Sequence, residues 1–176
     1  MRPVEVLKLG GSLFDLPGLR GRVLAECRAG RASVIVPGGG PFVDAVRRLS
    51  PRMREAVADA EAVEHRIALG ATRVSAAWAA AVLGVPVVSD RGALPDVCVW
   101  PAADAPAGGL PEAWSVTSDV LAARLAASLG ADRLTLLKSV GPFGSLAKAA
   151  AAGALDVHFA AAAETLKVRW VNLRAG

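Results

Sequence analysis

The feature that most constrains the fold is an alternation of short aliphatic runs with longer helical patterns. Several of these runs are separated by segments that have the apolar spacing of helices. Because strands joined through helices usually pair in parallel, the pattern predicts an α/β fold with a mainly parallel sheet. The predicted strands are Val4–Leu9, Ser33–Val36, Val85–Ser89, Val97–Trp100, Leu134–Lys138 and Val168–Val171.

Length and composition limit the class of protein. The 176 residues are 53% hydrophobic and show no repeat or linker, so we expect one domain over residues 1–176. The net charge of +4 is spread along the chain, which suits small anionic ligands and does not favour nucleic acid. Because no leader is evident and stretches such as Ala76–Val85 are too short to span a bilayer, we expect a cytoplasmic protein without membrane contact.

Proline and glycine divide the predicted helices. A helix capped near Asp15 should follow the first strand. Pro51 should separate the helix after the second strand from a long helical region, 52–83. That region carries one apolar stripe, and a break expected near Gly70 indicates two helices.

A glycine pair follows the first strand, in the turn from Lys8 to Ser12. Gly10 and Gly11 would let backbone N–H groups approach a phosphate, and Lys8 would add a positive charge beside them. The spacing fits neither a P-loop nor a dinucleotide-binding fingerprint, so any phosphate site is of another kind. The structural alternative is a tight turn with an exposed lysine.

Three consecutive glycines, Gly38 to Gly40, follow the second strand. They remove every side chain that would block close approach of a ligand, at a cost in backbone entropy. We interpret this second turn as a ligand cradle, with a sharp strand-to-helix connection as the alternative. Asp44 follows in the next helix, where a solvated residue is the simplest interpretation.

Ser118 and Asp119 lie where a loop leads into a helix that should run to about Leu129. Either residue could cap that helix. Asp119 is also the one carboxylate between Glu112 and Asp132, so it could orient lysine side chains or a metal-bound nucleotide. Both interpretations stay open from the residues alone.

The late strand ends at Lys138, and a serine- and glycine-bearing loop through Gly141 follows it. This loop suits a phosphate or is a plain turn. His65 and His158 have no partners at metal-ligand spacing, so we expect packing or surface roles for them and no metal site. Cys27 is expected to be a buried free thiol, as is the second cysteine of the chain.

Taken in order, these three turns resemble those of the amino acid kinase family, which includes acetylglutamate, aspartate, uridylate and isopentenyl phosphate kinases. Within it, the segments 64–66, 112–119 and 170–172 are most similar to the kinases of methanofuran and methylofuran biosynthesis. The resemblance implies a three-layer α/β/α sandwich. It also implies an ATP-dependent kinase that uses Mg²⁺ and phosphorylates a phosphate monoester, in this subgroup [5-(aminomethyl)furan-3-yl]methyl phosphate.

The resemblance also implies roles for individual residues. Lys8 would stabilise the transferring phosphoryl group, and Asp119 would hold Lys8 in position. The acceptor phosphate would be bound by Gly38, Gly39, Gly40 and Ser118. ATP would be bound by Gly10, Gly11, Ser12, Lys138 and Gly141.

Two departures from the family pattern matter. Lys138 stands where relatives commonly carry an acidic segment, so it would be a second phosphate-binding lysine or a sign of altered nucleotide binding. The chain is also shorter than most relatives in the nucleotide-covering region. The alternative function is therefore a non-catalytic homologue that binds an anionic ligand or a partner subunit. Apolar helices such as Val74–Leu83 could form the face of a homo-oligomer.

Overall fold

The computed structural model describes residues 2–92 and 94–175, and its core is a five-stranded sheet. The strands lie in the order β3-β2-β1-β4-β5, and every pairing is parallel. This confirms the predicted α/β fold with a parallel sheet; that residues 1–176 form a single domain stays a prediction. The strands are β1 (Val4–Leu9), β2 (Ala32–Pro37), β3 (Val97–Val99), β4 (Arg133–Lys138) and β5 (Lys167–Asn172).

Helices cover both faces of the sheet. Short 3₁₀ turns occupy Gly11–Leu13 and Ala102–Asp104. The α-helices are α1 (Leu19–Glu26), α2 (Gly40–Ala56), α3 (Ala60–Leu83), α4 (Ser118–Ser128), α5 (Leu146–Ala151) and α6 (Phe159–Ala162).

The two-residue period of the strands divides the core into two halves. In β1, Val6 packs with residues of α4, whereas Leu7 and Leu9 pack with residues of α1 and α3 on the other face. Lys8 occupies the Val6 face, at the carboxyl end of the strand. The same alternation puts Lys138 of β4 on the α4 face, so both lysines end their strands on the side where α4 packs.

The strand order places these ends at a switch point. From β1 the chain continues to β2 and β3 on one side, and α4 then returns it to β4 on the other side of β1. In open parallel sheets, such a reversal leaves a crevice beyond the carboxyl ends of the strands. Lys8 and Lys138 flank that crevice. None of the helices in the described ranges is both long and apolar enough to cross a membrane.

One predicted strand is wrong. Val85–Ser89 forms only an isolated bridge, in which Val87 pairs with Val99 of β3. The Val88 N–H donates to the Val99 carbonyl and the Val99 N–H donates to the Pro86 carbonyl, both at 2.9 Å. Proline has no N–H to extend the ladder, which limits this segment to a single bridge.

The helix boundaries differ from those predicted at three places. Pro51 lies inside α2, whose apolar face packs against α3 and offsets the lost hydrogen bond. Helix α3 runs without a break through Gly70, because its alanine-rich flanks favour helix. Gly18, not Asp15, precedes α1, and the Asp15 carboxylate forms an ion pair with Arg174.

Replacing two glycines, one inside α3 and one directly after it, should have opposite effects on stability. A Cβ at Gly70 would meet no atom within 4 Å, so Gly70→Ala should raise the free energy of unfolding by about 0.5–1 kcal/mol. Gly84 ends the same helix with φ of 68°, so Gly84→Ala should lower it by about 1 kcal/mol or more. Urea denaturation of the two variants measures both changes, and equal effects of the same sign would contradict this account of the helix end.

Candidate active site

A cleft of about 600 Å³ lies at the carboxyl edge of the sheet. It brings together all three turns singled out in the sequence. The predicted residues that line it are Lys8, Gly11, Ser12, Gly38, Gly39, Gly40, Ser118, Asp119 and Lys138.

The first and second glycine turns are in direct contact. A Cβ at Gly11 would lie 2.3 Å from the Gly40 nitrogen, a distance that no side chain tolerates. Gly40 has φ of 52°, and a Cβ there would collide with Phe14. Glycine is therefore required at both positions for the two backbones to meet at the floor of the cleft.

Gly38 marks a small space between several polar groups. A Cβ added there would lie 3.0 Å from the Gly11 nitrogen, 3.2 Å from the Ser118 Oγ and 3.3 Å from the Lys8 Nζ. The Gly38 N–H itself donates to the Leu9 carbonyl at 2.7 Å. Two backbone turns, a hydroxyl and an ammonium group thus surround a point where an oxygen of an anion would fit.

The charged centre of the cleft is Asp119 between two lysines. Its Oδ1 lies 2.8 Å from the Lys8 Nζ, and its Oδ2 accepts a hydrogen bond from the Lys138 Nζ at 2.7 Å. All three side chains are buried: Lys8 is 6% exposed, Asp119 is 7% exposed and Lys138 is 12% exposed. With both lysines charged, this triad (Lys8, Asp119, Lys138) carries one unit of net positive charge.

The triad shifts the pKa values of its members. Burial alone would raise the pKa of Asp119, but the charges of Lys8 and Lys138 lower it below its ordinary value. Burial lowers the pKa of Lys138 to about 8, with the Lys8 charge acting in the same direction and Asp119 opposing it. Lys138 therefore holds a proton that the site can lose just above neutral pH.

The capping of helix α4 determines where the Asp119 side chain lies. Thr117, not Ser118 or Asp119, caps the helix, since its Oγ1 accepts from the Asp119 N–H at 3.2 Å. The Asp119 side chain is thereby free to face the lysines. Of the two interpretations of Asp119, the one that orients lysine side chains agrees with this geometry.

A second buried carboxylate supports the same helix. Asp156 Oδ2 accepts hydrogen bonds from the Thr117 Oγ1 at 2.9 Å and from the Val120 N–H at 3.3 Å. Burial raises the pKa of Asp156, with the nearby Asp119 charge adding to the effect. Sequence reasoning missed Asp156, because nothing in the run that precedes the short helix α6 distinguishes it from a surface residue.

Trp114 forms a wall of the cleft and was also missed. Its indole N–H donates to the Glu64 Oε2 at 2.8 Å, and Arg47 lies 5.0 Å over its ring centroid. The Glu64 side chain has no exposed area. A hydrogen bond from Ser50 lowers its pKa most, and the hydrogen bond from Trp114 lowers it further. The signal available in the sequence was a tryptophan just before a site turn.

Some predicted site residues lie elsewhere or are already engaged. Gly10 and Gly141 do not line the cleft, and the Gly10 N–H donates to the Leu137 carbonyl at 2.9 Å. The Ser12 Oγ lies 2.9 Å from the Ser139 Oγ. The binding roles of these residues stay predictions.

No protein-family model matches the sequence, and no curated protein matches it either. Solved structures do match. UMP kinase from Bacillus anthracis aligns with 98% of this chain and 88% of its own, with a TM-score of 0.65 and 16% identity. Our protein has an amino acid kinase fold.

A second likeness agrees with this fold. Uridylate kinase from Archaeoglobus fulgidus aligns with 81% of this chain at a TM-score of 0.57 and 24% identity. The aligned part spans 65% of the archaeal enzyme, so this chain matches less than two thirds of that protein. At these identities the likeness establishes the amino acid kinase fold and the three-layer arrangement, and the chemistry has to be argued from the cleft.

The space at Gly38 predicts that Gly38→Ala weakens anion binding more than it weakens the fold. The added methyl group would push against Lys8 and Ser118, so pyrophosphate affinity should fall by about tenfold, as for loss of one charge-assisted hydrogen bond. Isothermal titration calorimetry measures the affinity, with Gly70→Ala as the matched control. Unchanged affinity in Gly38→Ala would place the anion elsewhere.

The lowered pKa of Lys138 predicts a pH dependence of anion binding. Below about pH 8 Lys138 is charged and attracts the anion; as pH rises through that value the charge is lost and affinity falls. Sulfate suits the measurement, because its own charge stays constant over this range. Calorimetric titrations at fixed ionic strength should show the decline in the wild type and not in Lys138→Met. A flat profile in the wild type would contradict the assignment.

Proposed function

We propose that the protein is an ATP-dependent phosphotransferase that transfers a phosphoryl group to a phosphate monoester. The observation that carries the proposal is the buried triad with net positive charge, directly beside two glycine turns in contact. Asp156 lies in the same cleft and offsets part of this positive charge, although burial raises its pKa and so disfavours its charged form. A bound anion would offset the rest. A phosphoryl group is the anion that this combination of ammonium groups and backbone turns suits.

The residues of the cleft would act by position and charge. Lys8 would approach the transferring group from the end of the central strand, and Asp119 would fix its ammonium group in place. Gly38 and Ser118 would hold the acceptor phosphate on one side of Lys8, with Lys138 on the nucleotide side. An acceptor that is already a phosphate needs no dedicated base, because its oxygen is a ready nucleophile.

Magnesium would enter with the nucleotide. Within residues 2–92 and 94–175, no group of three or more His, Cys, Asp or Glu side chains is arranged to hold a metal ion. Mg²⁺ commonly keeps several waters and binds through substrate phosphates with one or two carboxylates. Two carboxylates of the cleft could assist: Asp119, which also pairs with two lysines, and Asp156. The ion would neutralise charge on the ATP phosphates.

For the acceptor, we propose [5-(aminomethyl)furan-3-yl]methyl phosphate as the first compound to test. Its amine needs a carboxylate, and Glu64 is already bonded to Ser50 and Trp114. Asp44 lines the cleft with a side chain that is 54% exposed, so it is the acid best placed to receive the amine, in exchange for or beside its pairing with Arg47. Trp114 would offer its ring face to the furan.

The decisive experiment is a turnover assay with Mg-ATP and the furan phosphate, with UMP as a second acceptor. Production of ADP and a diphosphate product is expected. Lys8→Met should lower kcat by about 10²–10³-fold, the effect of removing one preorganised charge donor. Lys167→Met is the matched control, because Lys167 is exposed at the opposite edge of the sheet and should leave kcat unchanged.

Two outcomes would reject this proposal. If calorimetry detects binding of pyrophosphate but no binding of Mg-ATP, the alternative of a non-catalytic anion-binding homologue is favoured. If Lys8→Met turns over at the wild-type rate, the reaction takes place outside this cleft. The short segment between β4 and β5, with only the two small helices α5 and α6, is the part of the chain that would have to cover the nucleotide.

A further inference from the structure

His65 on α3 is a buried side chain without a function in the site described so far. It is 5% exposed, and within the described residues neither Nδ1 nor Nε2 has a hydrogen-bond partner. An imidazole left unpaired in a protein interior costs stability. Such a group indicates that a partner is supplied by something other than the chain.

His65 lines a small cavity of about 70 Å³ next to the cleft. A cavity needs about 10–15 Å³ to hold one water molecule, so this cavity has room for a group of a few heavy atoms. Most of its wall is apolar. The aliphatic lining residues are Val43, Ala68, Leu69, Val116 and Leu121.

The other polar groups of the cavity are largely satisfied. Arg47, which also lines the cavity, forms an ion pair with Asp44 at 2.7 Å. The Thr72 hydroxyl donates to the Leu69 carbonyl at 2.6 Å and accepts from the Ala103 N–H at 3.1 Å. The Thr117 hydroxyl is bonded to Asp156. No carboxylate lines the cavity in the described part of the chain. An ammonium group would therefore find no counter-charge and would be repelled by Arg47, whereas a neutral polar group would find the imidazole.

The cavity lies next to the cleft and shares wall residues with it. Gly39, Arg47, Trp114, Thr117 and Ser118 line both spaces. Gly39 belongs to the turn expected to bind the acceptor phosphate, so a molecule held there by its phosphate would lie beside this cavity. The cavity therefore lies on the acceptor side of the cleft.

We propose that the His65 cavity is a specificity subsite that receives a hydroxyl-bearing arm of the acceptor. A hydroxyl both donates and accepts, as does a neutral imidazole, and the apolar walls suit a short carbon stem. The inference rests on the proposed function in one respect, because it takes the cleft to be the place where the acceptor phosphate binds. It does not rest on the furan phosphate, which has no hydroxyl group, and it points to a hydroxyl-bearing phosphate as the better acceptor.

The test measures binding without turnover. Short ω-hydroxyalkyl phosphates, from ethyl to hexyl, are compared by calorimetry with the alkyl phosphates of the same length and without ATP. The wild type should prefer the hydroxylated compound by about tenfold at the length that reaches His65. His65→Leu should abolish the preference, and His65→Gln, which keeps a donor and an acceptor, should restore part of it.

Controls separate recognition from folding. Pyrophosphate, which occupies only the charged part of the cleft, should bind the wild type and His65→Leu equally. The melting temperature of His65→Leu should be equal to that of the wild type or higher, because leucine leaves no buried polar atom unpaired. His158→Leu is the matched histidine variant, since His158 lies outside this cavity, and it should keep the preference.

The inference is overturned if the wild type shows no preference at any length, or if His65→Leu retains the preference. In either case His65 is a packing residue or holds only water. Failure of the kinase proposal has a different signature, which is normal discrimination between the phosphates with no ADP formed from Mg-ATP.

Discussion

The arrangement of the cleft depends on one carboxylate, that of Asp119, held between two lysines. Lys8 comes from the central strand, Lys138 from its neighbour β4 and Asp119 from the helix that packs over both. Without the carboxylate, two ammonium groups would face each other in a buried space, and Coulomb repulsion in that environment is strong. With it, the three segments are tied at one point, and the remaining positive charge is available to an anion.

The glycine turns determine how close that anion can come. The contact between the backbones of Gly11 and Gly40 leaves no room for a side chain at either position. The same closeness brings the space at Gly38 within reach of Lys8 and Ser118. The close backbone contact and the charges of the triad therefore shape the same small space. For this reason the two turns form one cleft.

The sequence was informative where a local rule decides the outcome. Strand ends such as Lys8, and the parallel sheet itself, follow from two-residue periodicity and from the alternation of strands with helices. It was uninformative where packing decides. Pro51 sits inside α2 and Gly70 inside α3 because tertiary contacts or helix-favouring neighbours outweigh local breakers. The pairing of Asp119 with Lys138 depends on β4 lying beside β1 under helix α4. No spacing along the chain predicts that arrangement.

The side of the cleft where we propose that the acceptor binds is organised separately from the charged centre. Glu64 and His65 are consecutive residues of α3: one fixes the indole of Trp114 at the cleft wall, and the other lines the cavity behind that wall. Neither contacts the triad. Substitutions in helix α3 can therefore change the shape and polarity of this side of the cleft without altering the ion pairs at the sheet edge. Such a separation would let one fold keep its charged centre while the molecule bound beside it varies.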